Sequence, residues 1–257
     1  MLRRLLEWAS RSVVLKRRLP AEFGRAVVYV SPGSALNFWR FDLGRVDPML
    51  FRIAREHVGP GDVVWDVGAN VGLFSFAAAS LAGPSGSVLA IEADTWLVGL
   101  LRRSSSARGE GEAPVAVIPA AAADAVGVAS FKIARRGRAS NYLASSPGSN
   151  QAGGVREIQL VPTVTLDSLL DLFPPPRLVK IDVEGAEDKV LQGAGRLLSE
   201  IRPALACEIF KESRVTVDPL LKELGYTMLD AELPPGERKP LGASVTNTLA
   251  YPPGWAS

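Results

Sequence analysis

The sequence predicts an α/β fold in which parallel strands alternate with helices, and two stretches predict it. The first is residues 61–92, GDVVWDVGANVGLFSFAAASLAGPSGSVLAIE. Val63, Val64, Trp65 and Val67 form the short apolar run of a strand buried on both faces. Gly68-Ala69-Asn70-Val71-Gly72 is a tight turn. Phe74, Ala77, Ala78 and Leu81 then recur at helical spacing until Gly83-Pro84 stops the helix. Residues 87–91 are a second buried strand, closed by Glu92. The second stretch is residues 180–187, KIDVEGAE, at the end of another apolar strand over residues 177–183.

Strand, glycine turn, helix, strand and acid together make a ligand site on a βαβ unit. Glycines let the backbone bend and a ligand approach closely. The carboxyl ends of neighbouring parallel strands open into the crevice where such folds bind ligands, and an acid about 20 residues beyond the turn can grip a ribose diol. A pyrophosphate-binding turn wants G-x-G-x-x-G. Here the spacing is G-x-x-x-G, and Asp66 stands two residues before Gly68. A carboxylate there repels a pyrophosphate and suits a cationic amino-acid ligand. An ordinary βα turn with no ligand is the plain alternative.

The totals narrow the classes. At 257 residues the chain fits one large α/β domain plus an extension, which we divide as residues 1–57 and 58–257. With 47% hydrophobic residues it can bury a sizeable core. The net charge of +2 is too balanced to argue for nucleic acid. One cysteine, Cys207, and one histidine, His57, exclude an internal disulfide and argue against a Cys/His zinc site. No apolar run is long enough to span a bilayer, and the first residues lack a signal-peptide core, so a cytoplasmic location is expected.

In chain order, residues 1–20 place Leu2, Leu5, Leu6, Ala9 and Val13 near one helical face, with six cations against one acid, a net of +5. This reads as a helix on an anionic membrane surface or as a solubilised capping helix; charge runs favour the second. Residues 25–30 read as a strand and residues 47–57 as a helix with Asp47 as N-cap and Pro48 first. Residues 94–108 are helical and residues 114–119 a third strand. In the AAAADAVG loop after it, Asp124 or a nearby backbone amide is a candidate to meet an adenine amino group, or the segment is simply a hairpin turn. Residues 128–133 and 155–161 read as strands. The loop between them carries Arg135, Arg136 and Arg138, and reads as a substrate lid that meets an anionic acceptor or as solvated arginines. Residues 165–172 are a short helix, 204–210 a fifth core strand ending near Glu208, 218–224 a helix, 226–230 a sixth strand and 245–251 the last.

Period-two alternation puts Lys180 and Asp182 on one face of their strand. Charges in a buried strand are costly unless paired or functional. Lys180 can neutralise Asp182, or Asp66 on the adjacent strand. A buried ion pair without chemistry is the bland reading. Paired charges at strand ends cluster in active sites, which favours function.

With both stretches in view, the chain resembles the FkbM-type methyltransferase family. The matching pieces are GDVVWDVGANVGLFS, VLAIEAD, VPTVTLDSLL, LVKIDVEGAEDKVLQGA and PALACEIF, with Thr246 to Ala250 suiting the closing strand. The resemblance implies a Rossmann-like class I methyltransferase fold: a seven-stranded, mostly parallel sheet with an antiparallel last strand and helices on both faces. It implies transfer of methyl from S-adenosylmethionine to a hydroxyl of a sugar or small molecule. IEAD departs from the phenylalanine-glutamate-proline found in many relatives, but Glu92 is kept. Residues 1–20 lie outside the resemblance.

On this reading Asp66, Gly68, Asn70, Gly72, Glu92, Asp124 and Asp182 hold the cofactor. Asp182 is the first choice of general base, Glu208 the second, and Lys180 sets the charge. No metal is assigned, although Asp182 and Glu208 are the pair that would share one. The expected partner is a small-molecule or carbohydrate acceptor, with membrane contact through residues 1–20 as one reading and no nucleic acid. The rivals are a dinucleotide oxidoreductase using NAD, a catalytically silent cofactor-binding partner, and the same fold acting on RNA ribose. The sequence names neither the acceptor nor an oligomeric state.

Overall fold

A computed structural model of the chain describes Glu7, residues 9–148 and residues 152–255. In chain order the strands are β1 Leu15–Arg18, β2 Val27–Val30, β3 Val63–Val67, β4 Ser87–Glu92, β5 Val115–Pro119, β6 Ala121–Ala122, β7 Gly127–Ala134, β8 Tyr142–Leu143, β9 Val155–Val164, β10 Leu178–Ile181, β11 Ala204–Glu208, β12 Thr227–Asp230 and β13 Asn247–Tyr251. The helices are α1 Pro48–His57, α2 Leu73–Ala82, α3 Thr95–Ser106, α4 Leu166–Leu169, α5 Glu187–Gln192 and α6 Arg214–Glu223.

The central sheet has seven strands in the order β12-β13-β11-β10-β3-β4-β5. β11, β10, β3, β4 and β5 are parallel, and β13 runs antiparallel between β11 and β12. This is the sheet that the family resemblance implies. Alternation along each strand feeds two cores. Val64, Val88, Ala90, Leu178 and Ala206 pack beneath α1, α2 and α3. Trp65, Val67, Leu89, Ile91, Val179, Ile181 and Leu205 pack beneath α4, α5 and α6. Both faces being covered explains why these strands read as continuous apolar runs.

The register positions the site. Ala90, Asp66, Lys180 and Ala206 lie side by side across β4, β3, β10 and β11. Small alanines flank the one charged pair in an otherwise apolar layer. Two residues further along each strand come Glu92, Gly68, Asp182 and Glu208, at the carboxyl edge of the sheet.

Two features differ from the sequence reading. Residues 15–18, placed in a basic N-terminal helix, form β1, antiparallel to β2. Lys16 and Arg18 alternate outward there with Leu15 and Arg17 half-buried, a period-two pattern that four mostly charged residues conceal. Leu2, Leu5 and Leu6 lie outside the described residues. The segment after β5 builds a separate four-stranded sheet, β6-β9-β7-β8. Its β7–β9 ladder stands above the carboxyl edge, where Phe131 of β7 and its β8 partner Leu143 line the crevice.

Candidate active site

The turn after β3 is fixed by the backbone. Gly68 and Ala69 donate to Ile91 O at 2.9 and 3.0 Å. Gly68 has φ +75°, and a Cβ there would lie 1.8 Å from Asp182 O, so glycine is required for the β3 and β10 ends to come together. Gly72, at φ +86°, faces Phe76 and Leu101 rather than the crevice, and starts α2. It is not among the residues that line the cleft in front of Glu92. Asn70 also has positive φ, 53°. Its side-chain oxygen accepts from Ser34 Oγ at 2.6 Å, and its N–H donates to Glu92 at 2.8 Å.

Glu92 is held from both sides. One oxygen accepts from Asn70 N, the other from Asp94 N at 2.8 Å. Burial raises its pKa to about 7, outweighing those hydrogen bonds. The carboxylate faces a cleft of about 560 Å³, counted with its open mouth, lined by Gly68, Asn70, Glu92, Asp182 and Glu184 on the polar side and by Ile91, Ala120, Ala121, Ala122, Phe131 and Leu143 on the apolar side. Arg138 and Asn141, from the loop read as a lid, line the same cleft. Both bind Asp94, which is fully buried and also caps α3 through Trp96 N at 2.9 Å. Arg138 is therefore tied down by an ion pair, while Arg135 and Arg136 are exposed.

Asp66, expected at the methionine end of the cofactor, is fully buried and lines neither this cleft nor its neighbours. It accepts from Ser75 Oγ at 2.5 Å and pairs with Lys180 Nζ at 3.3 Å. Lys180 also donates to Gly68 O at 2.9 Å and pairs with Asp182 at 3.4 Å. Burial opposes its charge, but Asp66 and Asp182 more than compensate and hold the ammonium above its ordinary value. Lys180 thus binds the turn, the buried acid and the strand-end acid into one unit. Asp124 is exposed and lies outside the cleft; Ala120, Ala121 and Ala122 form that wall instead.

Asp182 borders three adjoining spaces. Besides the first cleft it lines a second of about 430 Å³ with Lys180, Glu208, Asp47, Asn247 and Thr248, and a third with Asn37, Phe38, Asn70 and Phe74. Burial and the neighbouring Asp182 charge raise Glu208 to about 7. Glu184 was given no role by sequence. It has φ 55°, lines the first cleft, and is raised to about 9 by burial and by Asp182, Glu208 and Glu187. Only its place inside KIDVEGAE hinted at it. Among the described residues no cluster of three His, Cys, Asp or Glu side chains is arranged to hold a metal. His57 sits at the opposite end of the sheet, between Ile53 O and Tyr251 Oη at 2.9 and 2.5 Å.

The family model described as Methyltransferase FkbM domain matches residues 66–228. The hexuronic acid methyltransferase AglP of Haloferax volcanii is 26% identical over 238 residues, covering 90% of this chain and 88% of that protein. A methyltransferase FkbM from Methylobacillus flagellatus is similar in structure, with TM-score 0.48 and 16% identity over 78% of this chain; the chain spans half of that protein's length. A SAM-dependent O-methyltransferase from Thermotoga maritima gives TM-score 0.43 and 15% identity over 88% of this chain and 72% of its own.

Proposed function

The chain belongs to the FkbM methyltransferase family and is an S-adenosylmethionine-dependent enzyme; on that premise we propose that it methylates a hydroxyl of a carbohydrate, with Asp182 as general base. The observation that carries this reading is the position of Asp182 on the wall between the Glu92 cleft and the Glu208 cleft. One cleft then takes the cofactor and the other the acceptor. The residues present fit S-adenosylmethionine. A diol needs a carboxylate acceptor, which Glu92 offers; an adenine needs an apolar slot, which Ala121, Ala122 and Phe131 form; an ammonium needs an anionic neighbour, which Asp182 supplies. The bound cofactor supplies an electrophilic methyl on a sulfonium.

The chain's own residues do the rest. Glu92, Asn70 and the alanine wall orient the adenosine end. Asp182 takes the proton of the acceptor hydroxyl, with Glu208 next in line, because an alcohol is a poor nucleophile until deprotonated. Lys180 is a positioning residue. It anchors Asp182 and Gly68 to each other, and alignment of the reacting atoms is the main source of rate in such a displacement. Asp47, Asn247 and Thr248 give the second cleft several oxygens that accept from hydroxyls. AglP, as a hexuronic acid methyltransferase, supports a sugar-type acceptor. Residues 58–257 form the proposed catalytic unit and residues 1–57 a covering extension.

The test is Asp182→Asn in single-turnover assays with methyl glycosides of hexoses and hexuronic acids. Turnover at saturating cofactor is expected to fall about 10²–10⁴-fold, well beyond any loss of S-adenosylhomocysteine affinity in the same variant. Unchanged turnover removes Asp182 as the base.

A further inference from the structure

A second charged surface lies outside the catalytic clefts. Lys16, Arg17, Arg18 and Arg25 line one shallow depression that also includes Phe41 and Asp42. The β1–β2 ladder turns Lys16 and Arg18 outward. Arg17 and Arg18 donate to the backbone carbonyls of Lys16 and Arg25, and among the described residues no carboxylate pairs with any of the four cations. The single acid, Asp42, is already paired with Arg45 at 3.2 Å.

Phe41 stands in this field 86% exposed, with the Arg17 guanidinium 4.8 Å from its ring centre. Trp39, 45% exposed, is two residues away. Their neighbours Phe38 and Leu43 are buried, so the segment has an inward anchor and an outward aromatic edge. An aromatic left in water beside unpaired cations matches an anionic lipid surface, where the ring leaves water and the cations meet phosphates. The same segment reaches the active site: Asn37, Phe38 and Val46 border the third space beside Asp182.

We propose that this face docks on an anionic membrane, with Phe41 at headgroup depth. The docking does not depend on the chemistry assigned to Asp182. It differs from a lipid-bound helix over residues 1–20, because its anchors are a strand and the turn around Phe41.

The test is flotation of the full chain with vesicles of phosphatidylcholine alone or with about one third phosphatidylglycerol, at low and high salt. Capture is expected only with the anionic vesicles, and less at high salt. Lys16→Glu with Arg18→Glu is expected to weaken binding at least about ten-fold, and Phe41→Ser about ten-fold. These side chains are exposed, so Tm and S-adenosylhomocysteine affinity stay unchanged, and Phe41→Trp restores capture. Equal capture by neutral vesicles, no capture at all, or capture indifferent to both variants overturns the proposal. So does heparin binding that follows the charge reversals while vesicles fail to capture the protein, since that marks a polyanion site.

Discussion

Replacing Lys180 with methionine keeps most of the side-chain volume and removes the charge, so it isolates the electrostatics beneath the site. Asp66 is 0% exposed. Its Oδ2 has Ser75 Oγ at 2.5 Å, while its Oδ1 makes no hydrogen bond and has only the Lys180 ammonium at 3.3 Å. The register positions on either side of the pair offer nothing in exchange: Ala90 lies beside Asp66 and Ala206 beside Lys180. Removing one member of such a buried pair costs about 3–5 kcal/mol, because the remaining charge is left uncompensated. At roughly 2–4 °C per kcal/mol for a chain of this size, Tm falls by about 6–20 °C. The double variant Lys180→Met with Asp66→Asn removes both charges and is expected to recover most of that loss. Urea and thermal melts of the cofactor-free protein read both values. A single variant losing less than about 1 kcal/mol, or a double variant no more stable than the single, refutes the claim that Asp66 serves the fold through Lys180.

Glu92 holds its proton up to about pH 7 against an ordinary value of 4.5, so its ionisation costs stability as pH rises through that window and costs nothing below it. A ribose diol donates to the ionised form, so S-adenosylhomocysteine affinity is expected to weaken about ten-fold for each pH unit below about 7. Glu92→Gln binds weakly with a flat profile, and a flat wild-type profile in calorimetric titrations contradicts the assignment. Gly68→Ala drives a Cβ to within 1.8 Å of a strand-end carbonyl at positive φ; strain and overpacking together cost about 2–5 kcal/mol. Chemical denaturation checks this, and a near-neutral effect shows that the β10 end can move away.

How much of this was legible in the sequence depends on where each residue's partners lie. β3, β4, β10 and β11 were readable because burial on both faces leaves an apolar run that the glycine turn punctuates. The Lys180 partners were also readable, since period two and parallel neighbours restrict a buried ammonium to Asp66 and Asp182, and both pairs form. The direction in which Asp66 points was not. A motif position says that an acid follows the apolar run, not whether it faces the ligand or Ser75 nine residues later. The position of Asp124 was not readable either: the chain turns into β7 and leaves Asp124 exposed, while Ala121 and Ala122 line the cleft. The Arg138–Asp94 pair joins residues 44 apart and has no local signature. Glu184 needed its left-handed backbone to be seen before its aim into the cleft could be stated.

The most direct measurement is a crystal structure of the protein with S-adenosylhomocysteine. The account predicts the two ribose hydroxyls on the Glu92 carboxylate, the adenine against Ala121 and Ala122, and the sulfur turned toward the wall that Asp182 shares with the Glu208 cleft. A ligand seated elsewhere, or a ribose with no contact to Glu92, contradicts it.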